Sequence, residues 1–228
     1  MMFSSSWHAW TWLSRLGEAQ ILLPLSLAAV LWLWLAAGEG RLALRWIMSL
    51  AVAASVTTAS KLAFIGWGLG SAAWDFTGFS GHAMFAAATL PMLAWVALLG
   101  RPRAWRRAGV AFGFGLAALI AYSRLPVHAH SPSEALAGFL LGAAASWVTL
   151  RGLPGVRLRV PLWLPAALAA GLMLMPTLAP RSRTHDWVTE ISLQLSGRAQ
   201  PFHRHDMQRH ARPAEPVKAN SVQAPLGL

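Results

Sequence analysis

Cysteine is absent from the 228-residue sequence, and charged side chains make up only 12% of it. The absence of cysteine excludes a disulfide framework, a thiolate nucleophile, a cysteine-ligated zinc site and covalently attached c-type haem. The charged fraction is about half that of a soluble globular domain, whereas apolar residues make up 56% of the chain. This composition excludes a disordered chain and a small secreted scaffold, and it indicates an integral membrane protein.

The apolar residues fall into six runs separated by short loops, and each run approaches the roughly 20 residues that cross a bilayer as a helix. We predict membrane helices over residues 20–37, 47–65, 82–99, 108–122, 135–150 and 161–179. Helices are expected rather than barrel strands because the runs are continuous and do not alternate between apolar and polar residues. The predicted fold class is therefore an all-α polytopic membrane protein, a bundle of six transmembrane helices. Within it, Gly138 and Gly142 form a small-residue pair that allows close helix packing.

Three regions follow from this pattern: an N-terminal interfacial segment over 1–19, the six-helix membrane domain over 20–180, and a polar, basic C-terminal tail over 181–228. The first apolar run resembles a signal peptide, but we expect an uncleaved span because its flank is long and rich in Trp. In the tail, Thr184 to Gly197 predicts one amphipathic helix with Thr184 as its N-cap. Its apolar face would be formed by Trp187, Val188, Ile191 and Leu195. Beyond this helix we expect disorder, with histidines that are solvated rather than bound to a metal.

The basic residues predict the orientation of the bundle. Three loops, at 38–46, 100–107 and 151–160, hold nine cations, whereas the loops at 61–81 and 123–134 hold only Lys61 and Arg124. The positive-inside rule places the three basic loops in the cytoplasm and the other two loops, with both termini, outside. Arg181 and Arg183 argue mildly against this. The net charge of +11 is expected to face lipid headgroups rather than nucleic acid, and Trp46, Trp105 and Trp163 fit the cytoplasmic interface, with Trp67 and Trp74 at the other.

The two outer loops contain nearly all the polar chemistry of the membrane domain. Lys61, His82, Arg124 and Glu134 lie at helix ends at one membrane depth, where polar groups are functional by default. The outer loops also lead into helix N-termini, one at Ser80 as a cap and one at Ser131-Pro132. Because a helix N-terminus offers unpaired N–H groups and partial positive charge, these residues predict a pocket for a tetrahedral dianion.

Two histidines supply a reaction for this pocket. A neutral imidazole at His130 can attack phosphorus, with Glu134, one helical turn later, to orient it. His82 can protonate the departing alkoxide, while Lys61, Arg124 and the Ser80 and Gly81 amides stabilise the equatorial oxygens. No metal or other cofactor is required. Simpler interpretations stay open: Glu134 forms a capping box with Ser131, the two cations only snorkel, Asp75 only begins a turn, and His128 competes with His130 as the nucleophile.

At these residues the sequence resembles the type 2 phosphatidic acid phosphatase superfamily, which carries the motifs K-x6-R-P, P-S-G-H and S-R-x5-H-x3-D. Phe79-Ser80-Gly81-His82 matches three of the four positions of the second motif. Ser123-Arg124, His130 and Glu134 match the third, with Glu in place of Asp. After Lys61, Gly68-Leu69 replaces the Arg-Pro of the first motif.

The resemblance implies an acid phosphatase-like helical core with catalytic residues His130 as the phosphorylated nucleophile, His82 as the general acid and Glu134 as the orienting carboxylate. Its phosphate ligands would be Lys61, Ser80, Gly81 and Arg124. We expect a metal-independent lipid phosphatase of the bacterial inner membrane, facing the periplasm and acting on phosphatidate, phosphatidylglycerophosphate or undecaprenyl diphosphate. The alternatives are a silent protein that binds phosphorylated lipid, a phosphotransferase using the same site, and an anion transporter; the oligomeric state stays open.

Overall fold

The computed structural model describes residues 2–151, 160–180 and 182–211. Within these residues the chain is helical apart from one isolated bridge between Ser71 and Phe76. The helices are α1 Met2–Arg15, α2 Ala19–Leu31 with a π-helical extension Trp32–Ala36, α3 Gly40–Trp67, α4 Gly81–Ala97, α5 Arg103–Ser123, α6 Pro132–Leu150, α7 Trp163–Leu178, α8 Thr184–Ser196 and α9 Arg204–Ala211. The all-α class is therefore confirmed.

The six predicted apolar segments correspond to helices α2 to α7, with ends that differ by up to seven residues. By length and composition, four helical segments of the described chain can cross a membrane: Trp7–Ala36, Gly40–Trp67, Arg103–Ser123 and Pro132–Leu150. Helices α4 and α7 are apolar but have only 17 and 16 residues, which at 1.5 Å per residue gives about 26 and 24 Å. The membrane character of the bundle is supported, and the count of six spans stays a prediction.

Helix α4 lies at the centre of the bundle, and twelve of its 17 residues are buried. It contacts α2, α3, α5, α6 and α7. An apolar helix that is buried on nearly all sides needs small side chains, and α4 supplies them in Ala83, Ala86, Ala87 and Ala88. This central position fixes the N-terminus of α4, where two of the predicted site residues, Gly81 and His82, lie.

The glycine pair on α6 packs directly against α4, as the small-residue spacing predicted. A Cβ on Gly138 would overlap the Ser80 carbonyl oxygen, and one on Gly142 would overlap the Met84 carbonyl oxygen. The backbones of α4 and α6 therefore touch without intervening side chains. This contact holds the starts of both helices side by side.

Trp46 was expected at a membrane interface, and that expectation is wrong. Its side chain is only 1% exposed, and its indole N–H donates to the Ala88 carbonyl oxygen at 3.3 Å. Trp105 and Trp163 are exposed near one end of the bundle, and Trp67 and Trp74 near the other. Because Trp46 lies inside a long helix rather than in a loop, its position along the chain gave no indication of which face it occupies. Of the cations used for orientation, Arg157, Arg159 and Arg181 lie outside the described residues.

The C-terminal segment is more ordered than the sequence predicted. Helix α8 forms as expected and ends at Gly197, whose φ of +68° is the left-handed conformation that glycine favours. Arg183, not Thr184, occupies the N-cap position. Val188 packs inward, while Trp187, Ile191 and Leu195 stay exposed, so the predicted apolar face is split. The disorder expected after α8 is wrong for residues 204–211, which form α9; residues 212–228 lie outside the described part of the chain.

We predict that Gly142→Ala will lower the melting temperature of the detergent-solubilised protein. The added methyl has no space against Met84, and overpacking of this kind costs roughly 1–3 kcal/mol. Gly115→Ala is the matched control, because a Cβ at this helical glycine meets no atom within 4 Å and alanine favours helix by up to about 1 kcal/mol. Equal melting temperatures for the two variants would contradict the close packing of α4 and α6.

Candidate active site

A cavity of about 460 Å³ lies at the end of the bundle where α3 and α5 end and α4 and α6 begin. Six of the seven predicted site residues line it: Lys61, Gly81, His82, Arg124, His130 and Glu134. The seventh, Ser80, is fully buried next to them at the N-cap of α4. Because consecutive helices of the bundle alternate in direction, residues that are 73 positions apart in sequence meet at one end.

The N-terminus of α4 forms one wall of the cavity. The first hydrogen bond of this helix joins the Met84 N–H to the Ser80 carbonyl oxygen, so the preceding N–H groups of Gly81, His82 and Ala83 have no helical acceptor. The Ser80 side chain does not cap the helix, in contrast to the prediction; its Oγ is buried and has no partner among the described residues. A buried hydroxyl without a partner beside free N–H groups is suited to an anionic ligand.

Two cations face this helix end. The Lys61 ammonium lies 3.8 Å from the position that a Cβ on Gly81 would take. Arg124 donates from Nη1 to the Ser14 hydroxyl, and its Nε is buried without a partner among the described residues. Burial lowers the pKa of Arg124 to about 10, although Glu18 acts in the opposite direction. Arg124 is therefore still cationic at neutral pH, so two positive charges and a helix N-terminus converge on one space.

His130 and Glu134 form the contact that their spacing predicted. The Nδ1 atom of His130 lies 2.8 Å from Glu134 Oε2. With Nδ1–H donating to the carboxylate, Nε2 carries the free lone pair. The expected capping box is also present, because the Ser131 hydroxyl accepts from the Glu134 N–H at 3.3 Å and Glu134 Oε2 accepts from the Ser131 N–H at 3.1 Å. One carboxylate thus caps α6 and orients the imidazole.

The other carboxylate oxygen of Glu134 binds the loop before α4. Its Oε1 accepts from the Thr77 N–H at 2.7 Å and from the Thr77 hydroxyl at 2.5 Å. Arg204 of α9 donates from Nη2 to both carboxylate oxygens, at 2.9 and 2.8 Å. These donors satisfy a carboxylate that is 0% exposed, as a buried charge requires.

The surroundings of His130 favour its neutral form. Burial lowers the pKa of His130, and Lys61 and Arg124 lower it further, while the hydrogen bond and the charge of Glu134 act in the opposite direction. A neutral imidazole with its lone pair available is the form that can act as a nucleophile. The arrangement therefore combines an oriented imidazole with a cationic pocket for an anion.

His82, near the start of α4, also lines the cavity. Gly17, in the connection between α1 and α2, packs against its backbone, where a Cβ would lie 3.0 Å from the His82 carbonyl oxygen. The rival His128 does not line the cavity; it is exposed, has a φ of +54° and stacks on Trp7. Within the described residues, no group of three His, Asp or Glu side chains converges in a way that could hold a metal ion.

Sequence reasoning missed three contributions to the site: Thr77, Arg204, and the Ser14–Glu18 connection that contacts Arg124 and His82. Asp75 was interpreted as the start of a turn, but its carboxylate pairs with Arg204 at 2.6 Å. The sequence offered one indication that Asp75 and Thr77 belong to the site: both lie in the same cation-poor loop as Ser80. Nothing in the local sequence distinguishes Arg204 from the other arginines of the tail.

Comparison with known proteins supports the motif assignment. The chain is 43% identical over 137 residues to a Klebsiella pneumoniae protein described as "Uncharacterized 22.5 kDa protein in cps region", a match that covers 60% of this chain and 66% of that relative. No solved structure matches the chain. Residues 63–157 match the PAP2 superfamily, and they include the second and third motifs with His82, Arg124, His130 and Glu134. The match over these residues supports membership in the PAP2 superfamily, the type 2 phosphatidic acid phosphatases, whose members are generally phosphatases.

Proposed function

We propose that the protein is a membrane lipid phosphatase that cleaves a phosphomonoester or diphosphate through a phosphohistidine. The observation that carries this proposal is the His130–Glu134 contact at 2.8 Å, which faces the same cavity as His82, Lys61 and Arg124. An oriented nucleophile, a second imidazole and an anion pocket are the parts that metal-independent phosphoryl transfer needs.

In the first step, Nε2 of His130 attacks phosphorus and forms a P–N bond. The P–O bond to the lipid breaks, its electron pair leaves with the oxygen, and His82, whose protonated form is favoured by the negative charge of the bound phosphate, donates a proton to that oxygen. Glu134 stabilises the positive charge that develops on the His130 ring. Lys61, Arg124 and the N–H groups at the start of α4 stabilise the equatorial oxygens.

In the second step, water replaces the lipid alcohol. Neutral His82 accepts a proton from the water, whose oxygen attacks phosphorus as the P–N bond breaks and its electron pair returns to Nε2. Inorganic phosphate leaves, His82 is again protonated and His130 is again neutral. Both histidines therefore finish the cycle in their starting state.

The surroundings of the cavity support a substrate held by the bilayer. The cavity lies at the ends of helices whose outer surfaces expose large apolar residues, among them Leu27, Val52, Phe112 and Leu140. Such surfaces face hydrocarbon in a membrane protein. We infer that the acyl or isoprenoid chain stays in the bilayer while the phosphate enters between helix ends; phosphatidate, phosphatidylglycerophosphate and undecaprenyl diphosphate all have this form.

We propose to measure phosphate release from a panel of these three lipids. We predict that His130→Ala will lower release from any lipid that the wild type hydrolyses by roughly a thousandfold or more. Wild-type release should persist in EDTA and stop with vanadate. His128→Ala is the matched control, because His128 lies in the same loop but outside the cavity. It should keep near-wild-type activity.

The same panel separates the alternatives. Phosphate release that survives His130→Ala would contradict the phosphohistidine. Binding of all three lipids without release by the wild type would favour a silent lipid-binding protein. Transfer of the phosphoryl group to an added alcohol or sugar in preference to water would identify a phosphotransferase. Anion movement into sealed vesicles that survives His82→Ala would favour a transporter.

We predict that His82→Ala will affect substrates according to their leaving group. Loss of a general acid should slow release from an alkyl phosphate by roughly 10²–10⁴-fold. Hydrolysis of nitrophenyl phosphate should fall much less, because nitrophenolate leaves without protonation. An equal loss on both substrates would contradict the general-acid role and leave His82 as a phosphate ligand.

We further propose that the cavity faces the periplasm of a bacterial inner membrane. The basic loops 38–46 and 100–107 lie at the end of the bundle opposite the cavity, which the positive-inside rule assigns to the cytoplasm. Alkaline phosphatase fused near residue 104 should therefore be inactive, and the same reporter fused after residue 211 should be active. Activity of the fusion near residue 104 would reverse the proposed orientation.

A further inference from the structure

We propose that Arg204 is a positioning residue of the active site, which holds the Glu134 carboxylate against His130 and makes the C-terminal segment part of the reaction apparatus. Arg204 lies 70 residues beyond Glu134 in the sequence and outside the residues that match the family. The inference rests on the proposed function, since it concerns the same nucleophile.

The guanidinium of Arg204 links two carboxylates. Its Nη1 lies 2.6 Å from Asp75 Oδ2 and donates to the Asp75 carbonyl oxygen at 2.9 Å. Its Nη2 donates to both oxygens of Glu134, at 2.9 and 2.8 Å. A planar guanidinium with several charged acceptors fixes the orientation of its partners far better than an ammonium could. With its Nη donors engaged by protein oxygens, Arg204 acts on the reaction through Glu134 rather than through the phosphate.

Glu134 has a particular need for such a partner. The third motif of the family has an Asp here, and the extra methylene of Glu adds a rotatable bond between the backbone and the carboxylate. Thr77 restrains Oε1 and Arg204 binds both oxygens, and Oε2 lies against His130. Without Arg204, only the Thr77 and Ser131 groups would restrain the longer side chain beside the imidazole.

The C-terminal segment is anchored so that it delivers Arg204 to this place. The Ser192 hydroxyl on α8 donates to the Leu62 carbonyl oxygen at 3.0 Å, and the Phe202 N–H donates to the Ile65 carbonyl oxygen at 2.9 Å. The Phe202 ring packs on Gly68, with closest approaches of 3.1–3.2 Å to an added Cβ, and the Arg198 guanidinium lies over the ring, 4.0 Å from its centroid. The segment thus binds the last two turns of α3.

Gly68 connects this anchoring to the degenerate first motif. It stands where the family motif has Arg, it ends α3 with a φ of +70°, and an arginine there would meet both an unfavourable backbone conformation and the Phe202 ring. The loss of the motif arginine and the docking of the C-terminal segment therefore involve the same surface. In this chain the segment brings another arginine to the site, bound to the orienting carboxylate.

The charged groups around His130 allow a measurement that would not change if Arg204 had only a structural role, namely the pKa of His130. Lys61 and Arg124 face His130 from α3 and the end of α5, His82 from α4, and Glu134 from α6. Arg204 places a positive charge at both oxygens of Glu134. If Arg204 is removed and the carboxylate is no longer held against His130, the hydrogen bond and the charge that raise the pKa of His130 weaken, so this pKa should fall.

The test compares Arg204→Gln with Arg209→Gln in the full chain, using the lipid that the wild type hydrolyses. Arg209 is the matched control because it carries the same charge on the same helix but is exposed and does not line the cavity. Arg204→Gln should lower kcat by roughly tenfold to a hundredfold, change KM by less than about threefold, and move the acid limb of kcat/KM to lower pH. Arg209→Gln should leave all three near wild type.

Two further variants keep the test decisive if Arg204→Gln folds poorly. Arg204→Lys keeps the charge but cannot bind both carboxylates, so it should rescue only part of kcat. Asp75→Asn removes the negative charge of the second anchor of the guanidinium and should cause a smaller loss of kcat. The double variant Arg204→Gln/Asp75→Asn should be no worse than Arg204→Gln alone, because Asp75 acts through Arg204; additive losses would overturn this relation.

The titration of His130, followed by NMR of histidine-labelled protein and assigned with His130→Asn, separates this inference from the proposed function. A lowered pKa for His130 in Arg204→Gln supports positioning even if no tested lipid is hydrolysed, whereas a raised pKa would show that Glu134 keeps its contact without Arg204 and would overturn the positioning role. Hydrolysis by the wild type, together with an unchanged kcat and an unchanged His130 pKa in Arg204→Gln, would overturn the positioning role and leave the phosphatase intact.

Discussion

The buried Glu134 carboxylate is the group on which the rest of the site depends. A charge with no exposed surface is stable only when its oxygens are fully bonded, and here the donors come from His130, Ser131, Thr77 and Arg204. These donors belong to four different parts of the chain: the loop before α6, the cap of α6, the loop before α4, and α9. The hydrogen bonds to this one carboxylate therefore hold the four parts of the chain together. None of these parts can shift far without leaving the buried Glu134 charge unpaired.

The packing of α6 against α4 supports this arrangement. Because Gly138 and Gly142 allow the α6 backbone to touch α4, the Ser80 N–H can donate to the Glu134 carbonyl oxygen at 3.1 Å. The helix start that is suited to an anion and the helix that carries the orienting carboxylate thus form one rigid unit. Its geometry is set by backbone contacts, which deform less readily than long side chains.

Much of this architecture was predictable from the sequence, for physical reasons. The apolar runs predicted α2 to α7 because lipid leaves a helix few alternatives, and the spacing of His130 and Glu134 predicted their contact because four residues make about one helical turn. The capping box and the αL end of α8 at Gly197 also follow from local sequence. By contrast, the burial of Trp46 depends on which face of α3 meets α4, and long, mostly apolar helices carry little periodicity to indicate that. The role of Arg204 depends on a tertiary contact across 70 residues, for which a polar tail gives no local signal.

The order of the helices along the chain has a consequence for biosynthesis. Since a polypeptide emerges from its N-terminus, all the other helices that line the cavity are synthesised before α9. Until Arg204 arrives, a nascent bundle contains the proposed nucleophile and the anion pocket, but Glu134 lacks a principal counter-charge. With the roles proposed for Glu134 and Arg204, the site is complete only once α9 has been made, so a partly translated chain already inserted among phosphorylated lipids would act on them slowly.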